Sequence, residues 1–121
     1  MSPAEPEDLA AELANVLDER QGENILALRV RELTSLADYF LIATARNPRH
    51  LKALSREIER ECEQKGKELL GSEGTPESGW ILMDTGEVVA HLFDREHRDL
   101  YGLEILWGDA PTVDWKKDNR E

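Results

Sequence analysis

Apolar and polar positions along the chain change period several times, and each change marks an element. In "PEDLAAELANVLDERQG" the residues Leu9, Leu13, Val16 and Leu17 fall on one helical stripe. Acidic residues crowd its first turn, where they complement the helix dipole, and Gly22 is placed to end it. The period then drops to two. In "ENILALRVREL", Leu26, Leu28 and Val30 alternate with Ile25, Ala27 and Arg29, giving a strand with one apolar and one mixed face. "ADYFLIATA" is apolar on both faces, the pattern of a central, fully covered strand. "NPRHLKALSREIERECEQKG" returns to helical spacing, with Asn47 as N-cap, Pro48 as first helical residue and Gly66 as terminator. Its buried stripe is Leu51, Leu54, Ile58 and Cys62.

"ELLGSEG" reads as a short strand and "TPESG" as a loop. "WILMDTGEVVAHLF" is a hairpin, and "REHRDLYGLEILW" is a helix capped by Asp94. "GDAPTVDWKKDNRE" closes the sequence as an irregular tail. These elements predict an α/β fold, a mixed, five-stranded sheet flanked by helices. The link from "ADYFLIATA" through the long helix to "ELLGSEG" is long enough for a crossover, which allows parallel pairing there. No repeat or second domain is evident, so residues 1–121 form one unit, with a core at about 8–115 and a flexible tail at 116–121.

The hairpin raises the functional question. A two-residue turn at Thr85 and Gly86 would set Asp84 opposite Glu87, Met83 opposite Val88, Leu82 opposite Val89 and Trp80 opposite His91. Alternation puts Ile81, Met83, Val88, Ala90 and Leu92 on one face, every one apolar. The other face gathers Trp80, Leu82, Asp84, Glu87, Val89, His91 and Phe93. Two carboxylates directly opposite repel, a cost that a cation between them relieves. A tryptophan in an apolar patch beside charge has the composition of an interface anchor. The competing reading, that helices of the same chain cover most of this face, has the better physical prior.

Charge narrows the partners. The 121 residues hold 26 acidic and 15 basic side chains, for a formal net charge of −11. Such a chain repels phosphate backbones, so direct nucleic-acid binding is not expected, whereas a basic protein partner or plain solubility both fit. One cysteine, Cys62, precludes an internal disulfide and suits a reducing compartment. No apolar run reaches bilayer length, and the acidic N-terminus has no signal-peptide pattern, so a cytoplasmic protein away from membranes is expected.

Catalytic chemistry finds little support. His91, Asp94 and His97 match no zinc spacing, and no phosphate-cradling glycine motif is present. "GSEG" resembles the turn that opens nucleotide-transfer sites, but no Asp-x-Asp pair follows it to hold divalent metal. No enzyme activity, metal or cofactor is expected.

"ADYFLIATARNPRHLKAL" and "WILMDTGEVVAHLFDREHRDLYGLEILWGDAP", with the spacing between them, resemble the ribosomal silencing factor (RsfS, or Iojap) family over about positions 8–115. The resemblance implies an α/β fold related to nucleotidyltransferases but without their catalytic carboxylates. It implies docking on ribosomal protein fourteen, a basic protein on the joining face of the large ribosomal subunit. Occupying that site would sterically block the small subunit and repress translation under starvation; organellar relatives aid large-subunit biogenesis. It also implies a homodimer when free. The partner-facing surface it implies is Trp80, Leu82, Asp84, Glu87, Val89, His91 and Phe93, with Tyr101, Leu106 and Trp107 nearby. Relatives often carry an aromatic where this sequence has Thr85 and Asp where it has Glu87, and "KKDNRE" has no family counterpart. Two other readings remain beside it, a nucleotidyltransferase-like enzyme working at "GSEG" and a generic dimeric interaction domain.

Overall fold

The computed structural model describes residues 6–116. Five strands form one mixed sheet: β1 (Glu23–Arg29), β2 (Tyr39–Ala45), β3 (Gly71–Glu73), β4 (Trp80–Asp84) and β5 (Val88–Asp94). Their spatial order is β1-β2-β5-β4-β3. Helices α1 (Pro6–Glu19) and α2 (Pro48–Gln64) cover one face, and α3 (Arg95–Tyr101) and α4 (Leu103–Leu106) lie on the other.

Strand β2 is buried along its whole length, as its unbroken apolar run requires. Its parallel neighbour is β5, paired from Tyr39 with Val88 to Ala45 with Asp94. The parallel pairing allowed for "ELLGSEG" is therefore corrected: β3 runs antiparallel to β4 at the sheet edge. Composition explains the choice. β5 is apolar on both sides and suits the interior, whereas Gly71, Ser72 and Glu73 are all exposed and suit an edge.

Helix α2 follows its sequence signals closely. The Asn47 side chain accepts from the His50 amide at 2.8 Å, Pro48 opens the helix, and Gly66 takes a left-handed φ of 67° just beyond its end. Leu51, Leu54, Ile58 and Cys62 are buried against the sheet, so Cys62 is a packing residue. Helix α1 ends differently from expectation. Gln21, not Gly22, takes the left-handed conformation at φ 65°. The segment expected as one C-terminal helix is two, because Gly102 turns left-handed at φ 57° and divides α3 from α4.

The tail is ordered further than its composition suggests. Arg29 N–H donates to the Pro111 carbonyl and Val113 N–H to that of Ala27, each at 2.8 Å, and Thr112 bridges Leu28. The expected flexible tail lies, except for Lys116, outside the described residues.

Candidate hairpin docking surface

The hairpin keeps its faces but not its register. Trp80 pairs with Phe93, Leu82 with His91, Met83 with Ala90 and Asp84 with Val89. The loop is longer than two residues because Thr85 bridges its base. The Thr85 hydroxyl accepts from Val88 N–H and the Thr85 amide donates to Val88 O. The shift is by two positions, so every side chain stays on its predicted face. Ile81, Met83, Val88, Ala90 and Leu92 pack in the core beneath α1 and α2.

The expected opposition of Asp84 and Glu87 is overturned. Glu87 lies in the loop, and its carboxylate meets Lys67 Nζ at 2.5 Å. The hydrogen bond from Lys67 holds it below the usual glutamate range. Asp84 points elsewhere, with Oδ1 accepting from the Gly86 amide at 2.7 Å.

The second face is half core and half surface. Phe93 is fully buried, Val89 and His91 nearly so, in a cluster with Phe40, Ile42 and Ala110. Trp107 lies edge-on to Phe40 with centroids 5.2 Å apart, covering the middle of the sheet. These residues support the surface from beneath. Trp80, Leu82 and Asp84 on β4 stay half-exposed, while Tyr101 and Leu106 are 47% and 71% exposed. The covered and open readings of the face are each right for part of it.

An aromatic wall joins the two halves. Trp80 stacks on Phe93 at 5.1 Å and meets Tyr101 at 4.5 Å. Asp94 Oδ1 caps α3 through the His97 amide and also holds the His97 ring nitrogen, both at 2.8 Å. Gly79 makes that arrangement possible: its φ is 80°, and a Cβ there would lie 2.4 Å from His97 Nδ1. Between this wall and the β3 end runs a groove of about 280 Å³ lined by Glu73, Trp80, Leu82, His97 and Tyr101, among others.

Glu73 is the residue the sequence did not single out. It pairs with Leu82 across the sheet edge, as Gly71 does with Asp84. Paired residues share a face, so Glu73 and Asp84 flank Leu82 on the side that carries Trp80. Neither forms an ion pair among the described residues. "GSEG" thus supplies an edge strand and one groove-lining carboxylate. Among the described residues no group of three His, Cys, Asp or Glu side chains is placed to hold a metal.

Comparison with known proteins gives one consistent result. The family described as "Ribosomal silencing factor during starvation" matches residues 3–121. Ribosomal silencing factor RsfS of Bacillus subtilis is 40% identical over 101 residues, covering 84% of this chain and 86% of that protein. "Protein Iojap, chloroplastic" of Zea mays is 32% identical over 111 residues, which span 92% of this chain and 48% of that longer protein. A crystal structure from Chromobacterium violaceum superposes with a TM-score of 0.79 at 31% identity, covering 100% of this chain and 98% of that one.

Proposed function

This chain belongs to the ribosomal silencing factor family, and from that premise we propose that it represses translation by docking on the large ribosomal subunit through the open half of the hairpin face. The partner is a basic protein of the joining surface, ribosomal protein fourteen, and the docked chain keeps the small subunit from joining by occupying its place. The observation that carries this reading is the outer face of β4. Trp80 and Leu82 stay accessible there beside the Asp84 carboxylate, which meets no cation among the described residues, on a chain of net charge −11. An apolar anchor rimmed by uncompensated negative charge is complementary to a basic protein surface.

Within the expected surface the roles divide by exposure. Trp80, Leu82, Tyr101 and Leu106 supply apolar contact, and Asp84 receives an Arg or Lys. Val89, His91 and Phe93 hold the wall in place from below. Glu87 contributes little, because Lys67 already neutralises it. The free chain is proposed to be a homodimer, and the exposed Leu100, Ile105 and Leu106 are the apolar surface for it.

Co-sedimentation with isolated large subunits tests the docking. Asp84→Lys lowers binding by at least about tenfold, since it sets like charges against each other at the contact. Asp84→Asn, which keeps an acceptor for the Gly86 amide, serves as the fold control. Wild-type binding weakens as salt rises. Undiminished binding by Asp84→Lys would remove this surface from the contact.

A further inference from the structure

We infer that Glu73 is the second carboxylate of the docking surface, and that the groove it shares with Trp80, Leu82 and Tyr101 takes the guanidinium of a partner's arginine. The inference rests on the docking reading above and names the side chain the site receives.

Three observations converge. Glu73 and Asp84 flank Leu82 on one face, and no cation of this chain meets either among the described residues. Two carboxylates beside one apolar floor repel each other, and a cation between them removes that cost. Trp80 and Tyr101, with centroids 4.5 Å apart and planes at 43°, form an aromatic wall beside that charge, and Tyr101 is 47% exposed. An arginine suits this geometry better than a lysine. Its planar, weakly hydrated guanidinium lies against an aromatic ring while its edge donates to a carboxylate, and both contacts are available in one groove.

The groove is also built rather than incidental. Gly74 follows Glu73 with φ 95°, and a Cβ there would lie 2.0 Å from the Trp80 carbonyl oxygen. Only glycine lets the turn after β3 press against β4, which fixes the Glu73 backbone beside Trp80. The far wall is fixed by the Asp94–His97 contact.

Two measurements test this. In the first, a blocked glycine–arginine–glycine peptide and its citrulline counterpart are titrated into the full chain and followed by amide and indole NMR shifts. The arginine peptide shifts the Trp80 indole and the Gly74 and Tyr101 amides, and the uncharged citrulline peptide does not. Glu73→Gln weakens the response by about fivefold, the upper range for an exposed charge pair, and Glu87→Gln leaves it unchanged. Shifts spread evenly over the acidic surface, or a response indifferent to Glu73→Gln, overturn the assignment. In the second, the same variants are sedimented with large subunits, where Glu73→Gln weakens binding and flattens its salt dependence. If subunits bind and Glu73→Gln changes neither quantity, the groove assignment falls while the docking reading stands. If the peptide behaves as stated and subunits do not bind, the docking reading falls and the arginine groove stands.

Discussion

The Trp80 indole nitrogen donates to Nδ1 of His91 at 3.3 Å, joining the two strands of the hairpin across its outer face. An indole only donates, so Nδ1 accepts and the ring proton sits on Nε2. That nitrogen is buried with no hydrogen-bond partner among the described residues, and Phe40 and Phe93 pack around the ring at 5.1 and 6.2 Å. Trp80 is thereby held by a neutral imidazole, with its indole edge turned inward.

Burial pushes His91 down to about 4 from an ordinary value of 6.5. Between those values the unfolded chain binds a proton that the folded chain refuses. Stability is fully present above about pH 6.5 and declines as the pH falls toward 4. The shift corresponds to a loss of about 3 kcal/mol across that window. Urea midpoints measured at about pH 7.5 and 4.5 will fall more for the wild-type chain than for His91→Gln, which does not titrate. Equal declines for both would locate the acid sensitivity elsewhere.

Arg98 fastens α3 to the sheet. It is buried, its Nη1 donates to the Asn24 carbonyl at 2.5 Å and to Thr44 Oγ1 at 2.9 Å, and its Nε donates to Glu104 at 3.2 Å. Arg98→Met leaves a carbonyl, a hydroxyl and a half-buried carboxylate without their donor, and costs about 3 kcal/mol. Arg98→Lys recovers little, because one ammonium cannot reproduce the fork. The check is urea unfolding together with hydrogen exchange, which quickens first in α3. A loss below about 1 kcal/mol would mean that water replaces these bonds readily.

At Gly74, conformation and space forbid a side chain together. Gly74→Ala costs about 2–4 kcal/mol, from the left-handed backbone and from the displacement of the Trp80 carbonyl. Gly71, with open space around it, tolerates alanine within about 0.5 kcal/mol. Paired urea midpoints for the two variants measure the difference, and similar values would show that the turn after β3 gives way at no cost.

Local signals were legible in the sequence, and long-range ones were not. The start and stop of α2 were written in Asn47, Pro48 and Gly66, and the apolar run of β2 declared it central. The hairpin faces survived a wrong register because the pairing moved by two positions, which preserves alternation. Its cause, the Thr85 hydroxyl bridging Val88, left no periodic trace. Glu87 looked functional by its place at the turn, yet the Lys67 that neutralises it lies beyond α2 in sequence. Glu73 was invisible for the converse reason: its place beside Leu82 follows from β3 pairing with β4 across an intervening turn. The break at Gly102 was readable, since a glycine interrupts "RDLYGLEIL".

The strap from Pro111 to Trp115 answers a problem set by the sheet's β1 edge. An open edge strand presents unpaired amides and carbonyls to any passing strand. Here Arg29 N–H and Ala27 O are satisfied by Pro111 and Val113, the Asn15 side chain donates to the Trp115 carbonyl at 2.7 Å, and Val113 and Trp115 pack on the core. Val113→Pro removes the donor to Ala27 O and restricts the backbone of Thr112 before it, so the strap loosens while α1 and α2 stay packed. The expected result is a loss of about 1–2 kcal/mol, faster hydrogen exchange along β1, and association that rises with protein concentration. Because the strap lies at the β1 edge and the β4 strip lies beyond β2 and β5, large-subunit binding by the folded fraction stays unchanged. Loss of binding in step with the loosened strap would place the β1 edge inside the docking surface.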